Sequence, residues 1–251
     1  MGSHTQNGTP HHAPTRDVSP QLYARIAGIL FLLSLLVGVF GEMYVPSKLI
    51  VSGDAAATAK NIQTSAWLFR MGFAAYLIEA VCDIGLTWVL YLLLKPVRAD
   101  IALLVVFFRL VSTASFAFAE LCYFSTSHIL GGSAYLKTFS PDQLNSLALL
   151  ALKLYGLGGG IFMVFYGVAN ILTGYLIFRS GYLPKLLGIL LALGGLGFVT
   201  RNFALVLWPA YASDVLLLPT AFATIALLVW LLWRGVDVRE WNLQAACEET
   251  L

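Results

Sequence analysis

Seven ionisable residues stand where a chain this apolar can least tolerate them. Glu42, Arg70, Glu79, Asp83, Arg109, Glu120 and Arg201 all fall within or at the mouths of long hydrophobic runs. An unpaired charge at the centre of a membrane helix costs about 2.5–3.5 kcal/mol on insertion scales. Such residues pair, turn toward the bundle interior or line water, and they mark the first place to look for ion, proton or ligand chemistry. Their spacing sorts them. If the second and third runs form an antiparallel hairpin about a loop near Val97, Asp83 and Arg109 lie at matching depth. Arg70 and Glu120 match in the same way, to within one turn at about 1.5 Å per residue. Two ion pairs are therefore predicted, Asp83–Arg109 and a structural pair Arg70–Glu120 nearer the far surface. Glu79 sits one turn from Asp83 on the same face, at a height similar to Arg201 in the fifth run. Glu79–Arg201, with Asn202 beside it, is the third expected pair. The candidate intramembrane polar site is thus Glu79, Asp83, Arg109, Arg201 and Asn202.

Other chemistry is thinly equipped. Ser112, Thr113 and Ser115 lie near Glu79 in depth, but no histidine at that level could activate a hydroxyl. His128 falls at the end of the third run, and a metalloenzyme wants several histidines and carboxylates on one ion. The pair His11-His12 sits in a polar tail. Cys82, Cys122 and Cys247 are far apart and form no metal or disulfide ladder. Gly156-Leu157-Gly158-Gly159-Gly160 lacks the preceding strand that a phosphate-binding glycine loop needs. No catalytic residue, metal or cofactor is expected, and an enzyme is the less favoured class.

The elements that must hold these residues follow from composition. Of 251 residues, 59% are hydrophobic and 11% charged, against roughly a quarter charged in a soluble domain. Only a bilayer accommodates that balance. The fold class expected is all-α: a polytopic transmembrane helix bundle of about six spans, with short interfacial helices in the first and third loops. The spans are predicted at 23–45, 66–94, 101–126, 155–179, 184–207 and 214–233, each close to the roughly 20 residues that cross the hydrocarbon. Asp54 is placed to cap a short helix from Ala55 to Ile62. Ser140-Pro141-Asp142-Gln143 reads as a capping box, opening a helix that runs into the fourth span. Gly181 fits a helix C-cap and Pro184 the first turn of the next helix. Gly160, Gly167 and Gly174 recur every seven residues, a stripe for close helix packing that Gly188, Gly194, Gly195 and Gly197 could answer. Pro219 is expected to kink the sixth span.

Domain limits are expected at 1–20 for a disordered cytoplasmic tail, 21–236 for the membrane domain and 237–251 for a cytoplasmic C-terminal tail. The flanks of one side carry Arg16, Arg25, Lys95, Arg98, Arg179, Lys185, Arg234 and Arg239, and those of the other Lys48, Lys60 and Lys137. The positive-inside rule makes the richer side cytoplasmic, with both termini inside. The net charge of +2 gives no footprint for nucleic acid. The partners expected are the lipid bilayer and either another membrane protein or a second copy of the chain.

Four stretches resemble one family. They are Ser52-Gly53-Asp54-Ala55-Ala56-Ala57-Thr58-Ala59-Lys60-Asn61-Ile62, then Cys82-Asp83, then Phe107-Phe108-Arg109-Leu110-Val111, and last Arg179-Ser180-Gly181-Tyr182-Leu183-Pro184-Lys185-Leu186-Leu187-Gly188. Together, over about 22–233, they are similar to domain-of-unknown-function family 4386, a group of prokaryotic membrane proteins. The resemblance implies a multi-helix membrane protein of a bacterium or archaeon and brings no ligand or catalytic residue; the location expected is the prokaryotic cytoplasmic (inner) membrane. Two functions are expected from the residues. One is a non-catalytic accessory, sensory or interaction module whose buried charges lock helices in register. The alternative is a small carrier or ligand-binding protein with a charged intramembrane cavity.

Overall fold

The computed structural model describes residues 19–248, and no strand occurs among them. The expected tail at 1–20, with His11 and His12, lies almost wholly outside the described residues. Six helical stretches are long and apolar enough to cross a bilayer: Pro20–Leu49, Ala66–Leu94, Ala99–Ile129, Pro141–Ser180, Lys185–Leu207 and Asp214–Trp233. The first is composite. Helix α1 (Pro20–Gly38) passes without a break into a π-helical turn (Val39–Tyr44) and then α2 (Val45–Leu49). The next two spans are α4 (Ala66–Leu94) and α5 (Ala99–Ile129), preceded by the short helix α3 (Ala55–Thr64). Helices α6 (Pro141–Ser180), α7 (Lys185–Leu207) and α8 (Leu218–Trp233) complete the bundle.

The spans close into a ring in chain order: α1 packs on α4, α4 on α5, α5 on α6, α6 on α7, α7 on α8, and α8 back on α1. Side chains seal that last seam. Arg25 Nη2 donates to the Trp233 carbonyl at 2.8 Å and Gln21 Nε2 to the Arg234 carbonyl at 2.9 Å. These are carbonyls that a helix C-terminus otherwise leaves without partners. Glycines set the closest seam. A Cβ on Gly174 would strike the Gly188 backbone, and one on Gly167 would lie 2.7 Å from the Gly195 carbonyl oxygen. The two glycine stripes therefore face each other along α6 and α7.

Local sequence accounts for the helix ends. Asp54 accepts from the Ala57 amide at 2.8 Å, and Ser140 and Gln143 form the reciprocal capping box. Gly181 closes α6 at φ 73°, a left-handed conformation that suits glycine. The capped helix α6 runs for 40 residues, about 60 Å and twice the thickness of bilayer hydrocarbon. Its first turns project beyond the bundle on the face opposite the termini, where α3 packs against it.

The structure adds detail to three expectations and changes the role of Pro219. The third loop carries only one 3-10 turn, Ala134–Leu136, because the helix opened by its capping box belongs to the fourth span. Pro219 stands in the first turn of α8, where a missing N–H costs nothing, so it starts a helix instead of bending one. Beyond the last span, α9 (Val238–Glu248) is ordered. Its Trp241 Nε1 donates to the Leu93 carbonyl at 3.0 Å, and the Tyr182 hydroxyl donates to the same oxygen at 2.7 Å.

Two hydrophobic cores fill the ring. The one toward the termini is aliphatic, built around Leu86, Leu93, Leu176, Ile177, Leu227 and Leu231. The one toward the far face is aromatic, built around Phe69, Tyr76, Phe116 and Tyr123 with Val45 and Leu152. Charged residues lie along and between them.

Candidate intramembrane acidic site

One face of α4 carries Tyr76, Glu79 and Asp83, because residues four and seven apart differ by only about 40° and 20° around a helix. The facing side of α5 carries Arg109, Phe116 and Glu120, since Arg109 and Glu120 are separated by about 20°. Helix α1 supplies no charge at this level but comes close. A Cβ on Gly38 would lie 2.9 Å from Glu79 Oε1, so glycine lets the helix pass against the carboxyl. The π-turn follows at once and carries Glu42. Such turns widen a helix and recur at functional sites.

Asp83 and Arg109 meet as expected. Arg109 Nη2 lies 3.2 Å from Asp83 Oδ1, with side-chain exposures of 5% and 24%. The guanidinium also donates through Nε to the Thr87 hydroxyl at 2.9 Å and sits 4.9 Å from the centre of the Tyr166 ring. Thr87 donates in turn to the Asp83 carbonyl at 2.7 Å. Arg109 is held on three sides. It also borders a narrow cavity of about 20 Å³ on the ring axis, to which every span contributes, through Phe31, Leu90, Arg109, Asn170, Leu191 and Thr224. That is room for about one water.

The other two expected pairs do not form. Arg70 is exposed, and Glu120 is 4% exposed with neither carboxyl oxygen hydrogen-bonded. Their depths match, but Arg70 is about 220° around α4 from Asp83 and points off the facing side. Glu79 and Arg201 stand on α4 and α7, on opposite sides of the ring. Arg201 pairs instead with Asp214, at 2.8 Å between Nη2 and Oδ1, and its Nη1 reaches Asn202 Oδ1 at 3.4 Å. Asn202 Nδ2 donates to the Phe198 carbonyl at 2.8 Å. Arg201 and Asn202 therefore brace the end of α7 and leave the site to Glu79, Asp83 and Arg109.

The structure adds residues to that site. Glu42, Glu79, Asp83 and Glu120 each lie within electrostatic reach of at least two of the others. Among the described residues, no lysine or arginine forms an ion pair with Glu42, Glu79 or Glu120. Glu79 Oε2 is buried without a partner, like both oxygens of Glu120, whereas Glu42 is exposed. Tyrosines join the carboxyls. The Tyr76 hydroxyl donates to the Gly41 carbonyl of the π-turn at 2.9 Å and lies 2.8 Å from the Tyr155 hydroxyl. The Tyr155 hydroxyl thus stands between Tyr76 and Glu120. Tyr123 completes the cluster, edge-on to Tyr76 with ring centres 5.5 Å apart.

The family model described as a domain of unknown function, DUF4386, matches residues 26–235. The chain belongs to the DUF4386 family. The DUF4386 match contains all four carboxyls, Arg109 and the three tyrosines, and it ends before α9. An uncharacterised protein of Archaeoglobus fulgidus is 26% identical over 160 residues, covering 64% of this chain and 81% of the relative. No solved structure matches.

Proposed function

We propose that this multi-pass membrane protein is a small carrier or ligand-binding protein whose acidic intramembrane site takes a positively charged ligand. One observation carries the reading: Glu120 is buried in the aromatic core with both carboxyl oxygens unpartnered. Leaving a buried polar group unsatisfied costs about 1–3 kcal/mol, and more when it is charged. A fold that keeps two such carboxyls, Glu79 and Glu120, in reach of each other, with its buried arginine already spent on Asp83, is arranged for positive charge from outside. The lysine and arginine distribution supports an orientation with both termini on the cytoplasmic side of a prokaryotic inner membrane.

Paired charges support a second reading, a non-catalytic accessory, sensory or interaction module that acts with another membrane protein or a second copy. Asp83–Arg109 and Arg201–Asp214 lock helices without needing a ligand. Ligand-dependent stability separates the two. A ligand that binds only the folded state adds about 2.7 kcal/mol at a hundred times its dissociation constant. The melting midpoint of the purified protein is expected to respond to pH or to one of sodium, potassium, magnesium or tetramethylammonium, and the response should vanish in Glu79→Gln and Glu120→Gln. A midpoint indifferent to all of them would leave only the structural reading.

A further inference from the structure

We propose that the positive ligand of this site is the proton, held by Glu79 and Glu120 and exchanged with the far face through Glu42. The inference rests on the acidic-site reading and narrows its ligand.

Packing and donor geometry favour the smallest candidate. Tyr76 and Tyr123 are each 1% exposed and Phe116 is 6% exposed, so the walls around Glu120 are packed. An organic cation would need a pocket of about 300 Å³ or more. The axial cavity beside Arg109 has about 20 Å³, and the larger groove of about 720 Å³ between α5 and α6 is lined by Phe118, Ala119, Cys122 and Leu157 and by none of the carboxyls. Among the described residues, no three histidine, cysteine, aspartate or glutamate groups come together in a way that could hold a metal ion. The carboxyls thus sense each other's charge without converging on a coordination sphere. A proton needs neither volume nor convergence.

The surroundings of Glu120 supply no cation. Tyr76 donates to Gly41 and its oxygen lies 2.8 Å from that of Tyr155, so the hydroxyl beside Glu120 is a neutral polar neighbour that brings no positive charge. The groups facing Glu120 are Glu42 from the π-turn, Tyr76 and Glu79 from α4, Tyr123 from α5 itself and Tyr155 from α6. None of them is cationic, so a proton is the charge compensation left within the chain's own chemistry.

Access is one-sided. Glu42 lies on the outer surface of the bundle beside exposed Met43 and Tyr44, about 10 Å below the far end of its helix, counting seven residues to Leu49, and its side chain can reach toward that interface. Glu79 lies against Gly38, one turn earlier on the same helix. Toward the termini, the column meets Arg109 and then the aliphatic core. A fixed guanidinium in a narrow passage repels protons and cations. Water at the far face gives a proton to the Glu42 carboxylate. No hydrogen bond joins Glu42, Glu79 and Glu120, so onward transfer to Glu79 and Glu120 runs through water admitted between them, and each donor is ionised again as it gives up its proton. Each step breaks one O–H bond and makes one.

Infrared difference spectroscopy of the full chain in liposomes, stepped through pH, reads the protonated-carboxyl band directly. The band is expected in the wild-type protein, diminished in Glu79→Gln and in Glu120→Gln, and absent in the double variant. Glu42→Gln should keep the band but slow its response to a pH jump several-fold. A wild-type protein with no such band at any pH overturns the proposal, and so does a band that survives the double substitution. Wild-type melting with sodium, potassium or magnesium chloride at constant pH and ionic strength separates the two levels of inference. A glutamate-dependent rise with one metal and no carboxyl band would overturn the proton assignment while sustaining the acidic ligand site. With neither band nor rise, both fall.

Discussion

Replacing Arg109 with methionine removes the guanidinium but keeps an unbranched side chain of similar length. Three contacts go with it: the 3.2 Å bond to Asp83, the 2.9 Å bond to Thr87 and the stack on Tyr166. Breaking a buried pair by deleting one partner costs about 3–5 kcal/mol. Asp83 keeps 24% side-chain exposure, which puts the loss at the low end, about 3 kcal/mol. The Thr87 bond accounts for little of it, since interhelical hydrogen bonds in membranes average about 0.6 kcal/mol. Asp83→Asn leaves Thr87 and Tyr166 still holding the arginine, so about 1 kcal/mol is expected there. In the double variant no stranded carboxylate remains, and the total should fall short of the sum of the single losses by about 1–2 kcal/mol. Equilibrium unfolding in mixed micelles of a mild detergent and dodecyl sulfate gives all three values. Additivity within about 0.5 kcal/mol would refute direct coupling of the two side chains. Charge reversal offers a harsher version: Asp83→Arg should destabilise, and adding Arg109→Asp should recover part of the loss.

The helix seam makes opposite forecasts for chemically identical changes. Gly174→Ala drives a methyl into the Gly188 backbone and should cost about 1–3 kcal/mol. Gly156→Ala and Gly159→Ala meet nothing within 4 Å and should be neutral or stabilising, by up to about 1 kcal/mol, in the same unfolding assay. Arg70→Gln should change stability by less than about 0.5 kcal/mol, because the side chain is exposed and unpaired; a large loss would revive its pairing with Glu120. Tyr76→Phe removes the bond to Gly41 and the contact with the Tyr155 hydroxyl, and about 1 kcal/mol should be lost, with faster amide exchange in the π-turn.

Depth along a helix was legible in the chain; azimuth and neighbourhood were not. The span lengths, the Ser140 capping box, the Asp54 cap and the Gly181 stop each follow from local chemistry and stand in the structure. Asp83 met Arg109 because that pair satisfies both depth and facing. Arg70 satisfied depth alone, and a rotation of about 220° from Asp83 carries it off the face. Arg201 needed the ring order, which no local pattern encodes, and its partner Asp214 looked like the first residue of a span. The tyrosines of the site were not among the residues the sequence pointed to. What could have singled them out is periodicity, since Tyr76 is seven residues before Asp83 and Tyr123 three after Glu120. The π-turn at Glu42 has no signal of that kind. It arises where α1 packs on α4 and Tyr76 takes the Gly41 carbonyl.

Glu120→Met tests the central claim most directly. If the Glu120 carboxyl is kept for a positively charged ligand and not for the fold, an apolar side chain of similar size removes an unsatisfied buried group. The unfolding free energy, measured without added cations and at a pH high enough to ionise the carboxyl, should then rise by about 1–3 kcal/mol. A loss of stability of similar size would mean that Glu120 holds the helices together, and the acidic site would reduce to structural packing.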